Sequence, residues 1–212
     1  MTARWIDSLR RGWLLYHLAD PHFSFMYDAA PDGEWVTLDC ETTGLDVSRD
    51  KIISIGAVLI AGNRLLTSQR LELLVRPERA LNADSVRVHW LRERDVALGI
   101  DPEQAMRRLL DFIGSRPLVG YYLEFDLAMI NRVLFPMLGM GLPQPKIEVS
   151  SLYYDYKFHQ LPNHARDSGS IDLRFDSLMK DLDLPLWPAH DALNDAIMAA
   201  LAFLKLRQLR AE

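Results

Sequence analysis

The chain has 212 residues, 49% of them hydrophobic and 25% charged, with a net charge of −5. These proportions suit a soluble globular domain, alone or with an appendage, that buries a core without staples. They exclude a disulfide framework, since Cys40 is the single cysteine, and a bilayer-spanning helix, since no apolar run reaches the roughly 18 residues required.

Residues 3–18 predict an amphipathic helix, with Trp5, Leu9, Trp13 and Tyr16 near helical spacing. Residues 20–33 read as irregular chain punctuated by Pro21, Pro31 and Gly33. Residues 1–34 are therefore read as an N-terminal helical extension, and 35–212 as the domain proper. The run GWLLYHLA is short for a signal core and no convincing cleavage site follows it. With a lone thiol that fits a reducing compartment, the expected location is cytoplasmic, without membrane contact.

The domain opens with a strand at 35–40. Two β-rich runs, 52–60 and 65–75, flank Ala61-Gly62-Asn63 and predict a hairpin. Asp101 is placed to cap a helix ending at Ile113, with Pro102 at its first position. A short apolar strand follows at 117–122, then a helix over 124–138. Residues 146–154 start as a strand and pass into a helix. Phe175–Leu182 is a short helix, DLPLWP a loop, and 191–208 a strongly apolar final helix. Three β-rich runs, then helices alternating with short strands, predict an α/β fold with a mixed sheet flanked by helices.

Within this frame VTLDCETTGLD, residues 36–46, poses a chemical problem. Strand side chains alternate, so Asp39 and Glu41 share a face and Cys40 points to the other. Two carboxylates in a core strand are expensive unless paired or metal-bound. Gly44 permits a turn, which puts the pair near the strand's C-terminal end, where ligands bind in helix-flanked sheets. On this stretch alone, acids solvated at a sheet edge are an equal alternative. Asp126 follows LVGYYLEF at a helix start, where the macrodipole alone would favour a charge. His190 precedes the final helix and Asp195 lies on it; singly they read as a cap and a solvated face. As a set, four carboxylates and one histidine, each at an element end, can converge. An oxygen-rich donor set selects hard cations such as Mg²⁺ or Mn²⁺. Two such ions would stabilise the attacking and leaving oxygens of a phosphodiester.

LDCETTGLD, YYLEFD and HDALND, in this order and with spacings of 87 residues from Asp39 to Asp126 and 69 from Asp126 to Asp195, resemble the DEDD exonuclease superfamily. The four residues between His190 and Asp195 fit its histidine branch, and the pattern is similar to the exonuclease domain of the bacterial DNA polymerase III epsilon subunit. The resemblance covers about residues 34–208. It implies a ribonuclease H-like fold, an exonuclease domain at 35–212, and 3′→5′ hydrolysis that releases nucleoside monophosphates. It also implies that Asp39, Glu41, Asp126 and Asp195 hold two ions, Mg²⁺ or Mn²⁺, and that His190 is the general base. Histidine titrates near pH 6.5 in water, so activity is expected to rise from pH 6 to 8.

By the same resemblance Thr42, Thr43, Gly44 and Leu45 lie against the last nucleotide, an amide near Thr42 holding its 3′-hydroxyl and Leu45 wedging at a base. His89 and Asp84 are weaker candidates there. Phe125 is a candidate stacking surface, with a core role an equal alternative. Relatives commonly carry His-Asn where this chain has Tyr121-Tyr122, a departure that bears on specificity. The expected partner is a nucleic acid 3′ end, DNA favoured over RNA. A stable place in a replicase is not expected, because the chain stops soon after its final helix. The N-terminal extension is expected to pack on its own domain, with a docked protein partner the alternative. A non-catalytic module binding nucleic-acid ends is the competing class, and it would predict loss of at least one of the five key residues.

Overall fold

The computed structural model describes residues 11–77, 98–162, 170–188 and 190–211. Among these, strands β1 (Glu34–Thr42), β2 (Ile52–Ala61), β3 (Arg64–Leu74), β4 (Leu118–Gly120) and β5 (Lys146–Glu148) form one mixed sheet in the order β3-β2-β1-β4-β5. The first three strands are antiparallel, and β4 and β5 run parallel to β1. Helices α1 (Pro102–Ile113), α2 (Leu123–Leu138), α3 (Val149–Gln160), α4 (Phe175–Asp181) and α5 (Ala192–Ala211) flank it. No described helix is long and apolar enough to cross a membrane.

The alternation of β1 sorts its side chains between two cores. Val36, Leu38 and Cys40 join Ile55 and Ala57 of β2 against α1 and α2. On the opposite face, Val58, Ile60 and Val119 pack against α3, α4 and α5. Asp39 and Glu41 therefore point to the side that α5 covers, at the end of β1 where a register shift between Glu41 and Thr42 breaks the ladder.

Local signals worked as read in several places. The side chain of Asp101 accepts from the Glu103 amide at 2.9 Å, with Pro102 opening α1. Gly62 makes the β2–β3 turn at φ 60°. Two expectations need correction. Residues 20–33 are not wholly irregular: Pro21–Tyr27 is a 3-10 helix capped by Asp20, because Phe23 and Met26 bury themselves in the main core. The strand expected over 117–122 stops at Gly120, because Tyr122 turns left-handed, at φ 52°, to start α2. Of the N-terminal helix, residues 11–17 are helical and 1–10 lie outside the described residues. Leu18 is buried in the main core.

Candidate active site

The end of β1 is crowded with acid. Asp39, Glu41 and Asp195 each bring a carboxylate oxygen within 4.8 Å of the others. Asp126 adjoins the cluster from the first turn of α2, where its Oδ1 accepts the Cys40 amide of β1 at 3.1 Å. Glu41 and Asp126 are buried; Asp39 is half-buried. The structure thus gathers all four predicted carboxylates, three as a tight cluster and one held beside it.

What brings Asp195 there is a glycine. Gly56 of β2 pairs with Asp39 in the ladder. A Cβ on Gly56 would lie 2.2 Å from the carbonyl carbon of Ala192 and from the Leu193 nitrogen. The start of α5 rests on this gap, and Asp195 follows one turn later. Asp191 caps the helix by accepting the Asn194 amide at 2.9 Å, and its charge also acts on Asp39. His190 precedes it in an exposed, left-handed conformation, φ 75°. Its amide donates to Asp195 Oδ2 at 3.0 Å. The other oxygen, Asp195 Oδ1, is buried and has no hydrogen-bond partner among the described residues.

Electrostatics follow from this geometry. Burial first, then like charges from Asp126, Asp195, Glu41 and Asp191, hold Asp39 well above the ordinary carboxylate range. Burial also raises Asp126, with the Cys40 amide opposing. Asp195 is pushed up to about 6 by burial, with the His190 amide opposing and Glu41 adding. Burial, then the neighbouring carboxylates, raise the Cys40 thiol, which leaves it inert as a nucleophile. An acid whose pKa is higher folded than unfolded binds more protons in the native state, so stability falls as pH rises between the two values. For Asp195 that window runs from its ordinary value of 3.8 to about 6. A divalent cation needs the ionised form. The melting-temperature increase caused by added Mg²⁺ is therefore expected to be small at pH 5 and full by pH 7.5. Scanning calorimetry with chelator and with Mg²⁺ across this range checks it, and an increase independent of pH would contradict it.

An oxygen-only donor set, mutual repulsion and an orphaned buried oxygen together fit a hard divalent cation. The loop after β1 is braced beside it. Thr42 Oγ1 donates to the Gly44 carbonyl at 2.6 Å, Thr43 Oγ1 to Asp50 Oδ1 at 2.9 Å, and Arg132 donates to the Asp50 carbonyl at 2.8 Å. Leu45 stands out from this loop 85% exposed. Phe125 is half-buried and packs on the main core. His89 and Asp84 lie outside the described residues.

Tyr121 donates its hydroxyl to the Leu173 carbonyl at 2.6 Å, and its ring centroid lies 4.4 Å from that of Phe175. Tyr122 is 59% exposed. Three contributors escaped the sequence reading: Gly56, Asp191 and Glu148, whose carboxylate accepts the Tyr122 and Leu123 amides at 2.9 Å. Only Asp191 carried a local signal, as the acid just before a helix.

Comparison with known proteins adds a family. A profile described as RNase T, exonuclease, matches residues 36–203. The chain is 26% identical over 178 residues to a PolC-type DNA polymerase III of Thermotoga maritima, covering 84% of this chain and 12% of that protein. It is 30% identical over 173 residues to a DNA polymerase III subunit epsilon-like protein of Rhodobacter capsulatus, covering 81% of this chain and 23% of that one. The chain thus spans less than a quarter of the length of either relative. Among solved structures, E. coli Exonuclease I in complex with a dA16 oligonucleotide aligns with a TM-score of 0.70 at 13% identity. That alignment covers 85% of this chain and 42% of the other, a likeness of fold.

Proposed function

The chain belongs to the RNase T exonuclease family, and from that premise we propose that it is a metal-dependent enzyme removing nucleotides from the 3′ end of single-stranded DNA. Membership supplies the reaction class, a 3′→5′ exonuclease, and the mixed sheet flanked by helices is the ribonuclease H-like fold that goes with it. The observation that carries the metal dependence is Asp195 Oδ1, buried and unpartnered in a cluster with Asp39 and Glu41. Asp39, Glu41, Asp126 and Asp195 would hold two ions, Mg²⁺ or Mn²⁺. When bound, these supply charge neutralisation for the phosphodiester oxygens.

The chain's own groups do the rest. His190 takes a proton from the attacking water at a ring nitrogen. The hydrogen bond that its backbone N–H donates to Asp195 ties the loop that carries it to α5, which supports a fixed approach for the imidazole. Leu45, exposed on a braced loop, wedges at the terminal base, and the Thr42–Thr43–Gly44 backbone lies under the last sugar. Phe125 and His89 are further candidates for contact with the terminal nucleotides. The DNA named in the two relatives and in the Exonuclease I complex favours DNA over RNA.

The test is degradation of 5′-labelled single-stranded DNA and the matching RNA, with Mg²⁺, Mn²⁺ or chelator. A ladder shortening from the 3′ end, faster on DNA and abolished by chelator, is the expected result. Faster loss of RNA would overturn the substrate, and chelator-resistant digestion the metal dependence. His190→Ala, assayed at saturating Mg²⁺ and pH 8, is expected to lower single-turnover rates about 10²- to 10⁴-fold. A variant that keeps the wild-type rate would remove His190 from the base role.

A further inference from the structure

β4 and β5 end level with each other, Gly120 opposite Glu148; β5 passes directly into α3, and β4 passes into α2 after Tyr121 and Tyr122. Two helix starts therefore lie side by side, each with backbone amides that lack intrahelical partners. One carboxylate serves both. Glu148 Oε1 accepts the Tyr122 amide at 2.9 Å, the Ser150 amide at 3.0 Å and the Ser150 hydroxyl at 2.7 Å. Glu148 Oε2 accepts the Leu123 amide at 2.9 Å. This matters because α2 has no cap of its own. Its N-cap residue is Tyr122, whose side chain makes no capping bond and whose backbone sits at φ 52°, ψ 36°. Left-handed backbone at a bulky residue persists only where its surroundings over-determine it, and here the surroundings include Glu148.

Asp126 stands in the first turn of this helix, three residues beyond Leu123. It meets the Cys40 amide only if α2 begins where it does. A start displaced by one residue would swing Asp126 about 100° around the helix axis, the angle each residue subtends. We propose that Glu148 is a positioning residue for the exonuclease site: by capping α2 from the neighbouring strand it fixes where that helix starts, and so where Asp126 presents its carboxylate. The proposal rests on the reading of Asp126 as a metal-binding carboxylate.

Glu148→Gln is the test, because it keeps the shape and leaves one acceptor where there were two. With the retained oxygen on the Tyr122 and Ser150 donors, the new amide group faces the Leu123 amide, and Leu123 is expected to lose protection in hydrogen exchange. Mn²⁺ affinity, read as free ion by electron paramagnetic resonance, is expected to fall about 10- to 100-fold, the usual range for groups that orient metal ligands. With 5′-labelled DNA, kcat is expected to fall by a similar factor while KM changes less than twofold. Adding Tyr122→Gly makes the left-handed start strain-free and is expected to recover much of the loss. Glu148→Asp, one methylene shorter with both oxygens retained, is expected to lie between wild type and Glu148→Gln, and carries the same measurements if Glu148→Gln does not fold.

A Glu148 variant that melts lower yet binds Mn²⁺ and turns over like wild type would overturn the proposal, leaving Glu148 a stabilising cap only. Failure of Tyr122→Gly to recover anything would overturn it too. If wild type degrades nothing, the exonuclease reading fails instead, and Mn²⁺ binding with amide exchange still decides for or against Glu148.

Discussion

Asp39→Asn is expected to abolish degradation and, in chelator, to melt at a higher temperature than wild type. The two effects share a cause. Asp39 is flanked by Asp126, Asp195, Glu41 and Asp191, and both burial and these charges disfavour its ionised form. At neutral pH the metal-free site stores that repulsion in the native state and is relieved of it on unfolding. Removing one charge is expected to stabilise the metal-free protein by about 0.5–2 kcal/mol, as substitutions at strained functional sites commonly do. For a chain of this size that is about 2–4 °C per kcal/mol. The same change deletes a ligand from a donor set whose ions are worth several kcal/mol in the transition state, a loss of about 10³-fold or more in rate. Calorimetry in chelator and in Mg²⁺, beside a single-turnover assay, separates the effects. Wild type should gain more from Mg²⁺ than the variant. A variant that melts lower than wild type in chelator, or keeps its rate, would show that Asp39 is not part of a frustrated metal site.

Gly56→Ala is expected to damage stability and activity together. The new methyl would meet the Ala192 carbonyl carbon and the Leu193 nitrogen at 2.2 Å and the Ala192 oxygen at 2.3 Å. These are backbone atoms, so no side-chain rotation relieves the clash. β2 cannot retreat either, since Gly56 is paired with Asp39 on one side and Glu72 on the other. The start of α5 must lift, and His190 and Asp195 move with it. Overpacking of this kind costs about 1–3 kcal/mol, and a misplacement near 1 Å at a reacting centre can cost about 10²-fold in rate. Urea titration and the DNA assay measure the two losses. Gly62→Ala is the control: its Cβ would meet nothing within 4 Å, though its φ of 60° makes it mildly strained, so rate should survive a small loss of stability. Wild-type activity in Gly56→Ala would mean that α5 does not need the gap.

The β1 part of this site was legible from a local pattern. The period-two pattern of 36–41 assigned Asp39 and Glu41 to one face and Cys40 to the core. Asp126 and Asp195 read singly as ordinary helix charges, and only the set of motifs in order joined them to the site. The residues missed act across the sheet. Gly56 looks like any glycine in a strand until α5 is laid over it. Glu148 looks like the last residue of a short strand until β4 ends beside it.

The sequence by itself therefore determined which groups could do chemistry: the carboxylates, their order along the chain, the histidine ahead of the last helix, and the element that carries each. Side-chain alternation and the cost of burying charge picked out Asp39 and Glu41 within a few residues; Asp126, His190 and Asp195 joined them as candidates through the ordered set of motifs and its family resemblance. Tertiary structure alone decided how those groups meet. The depth at which α5 seats depends on a missing methyl on β2, and the residue at which α2 begins is marked by a carboxylate on β5. Both are contacts between segments far apart in the chain, and their energies exist only once the sheet has brought the segments within van der Waals and hydrogen-bonding reach.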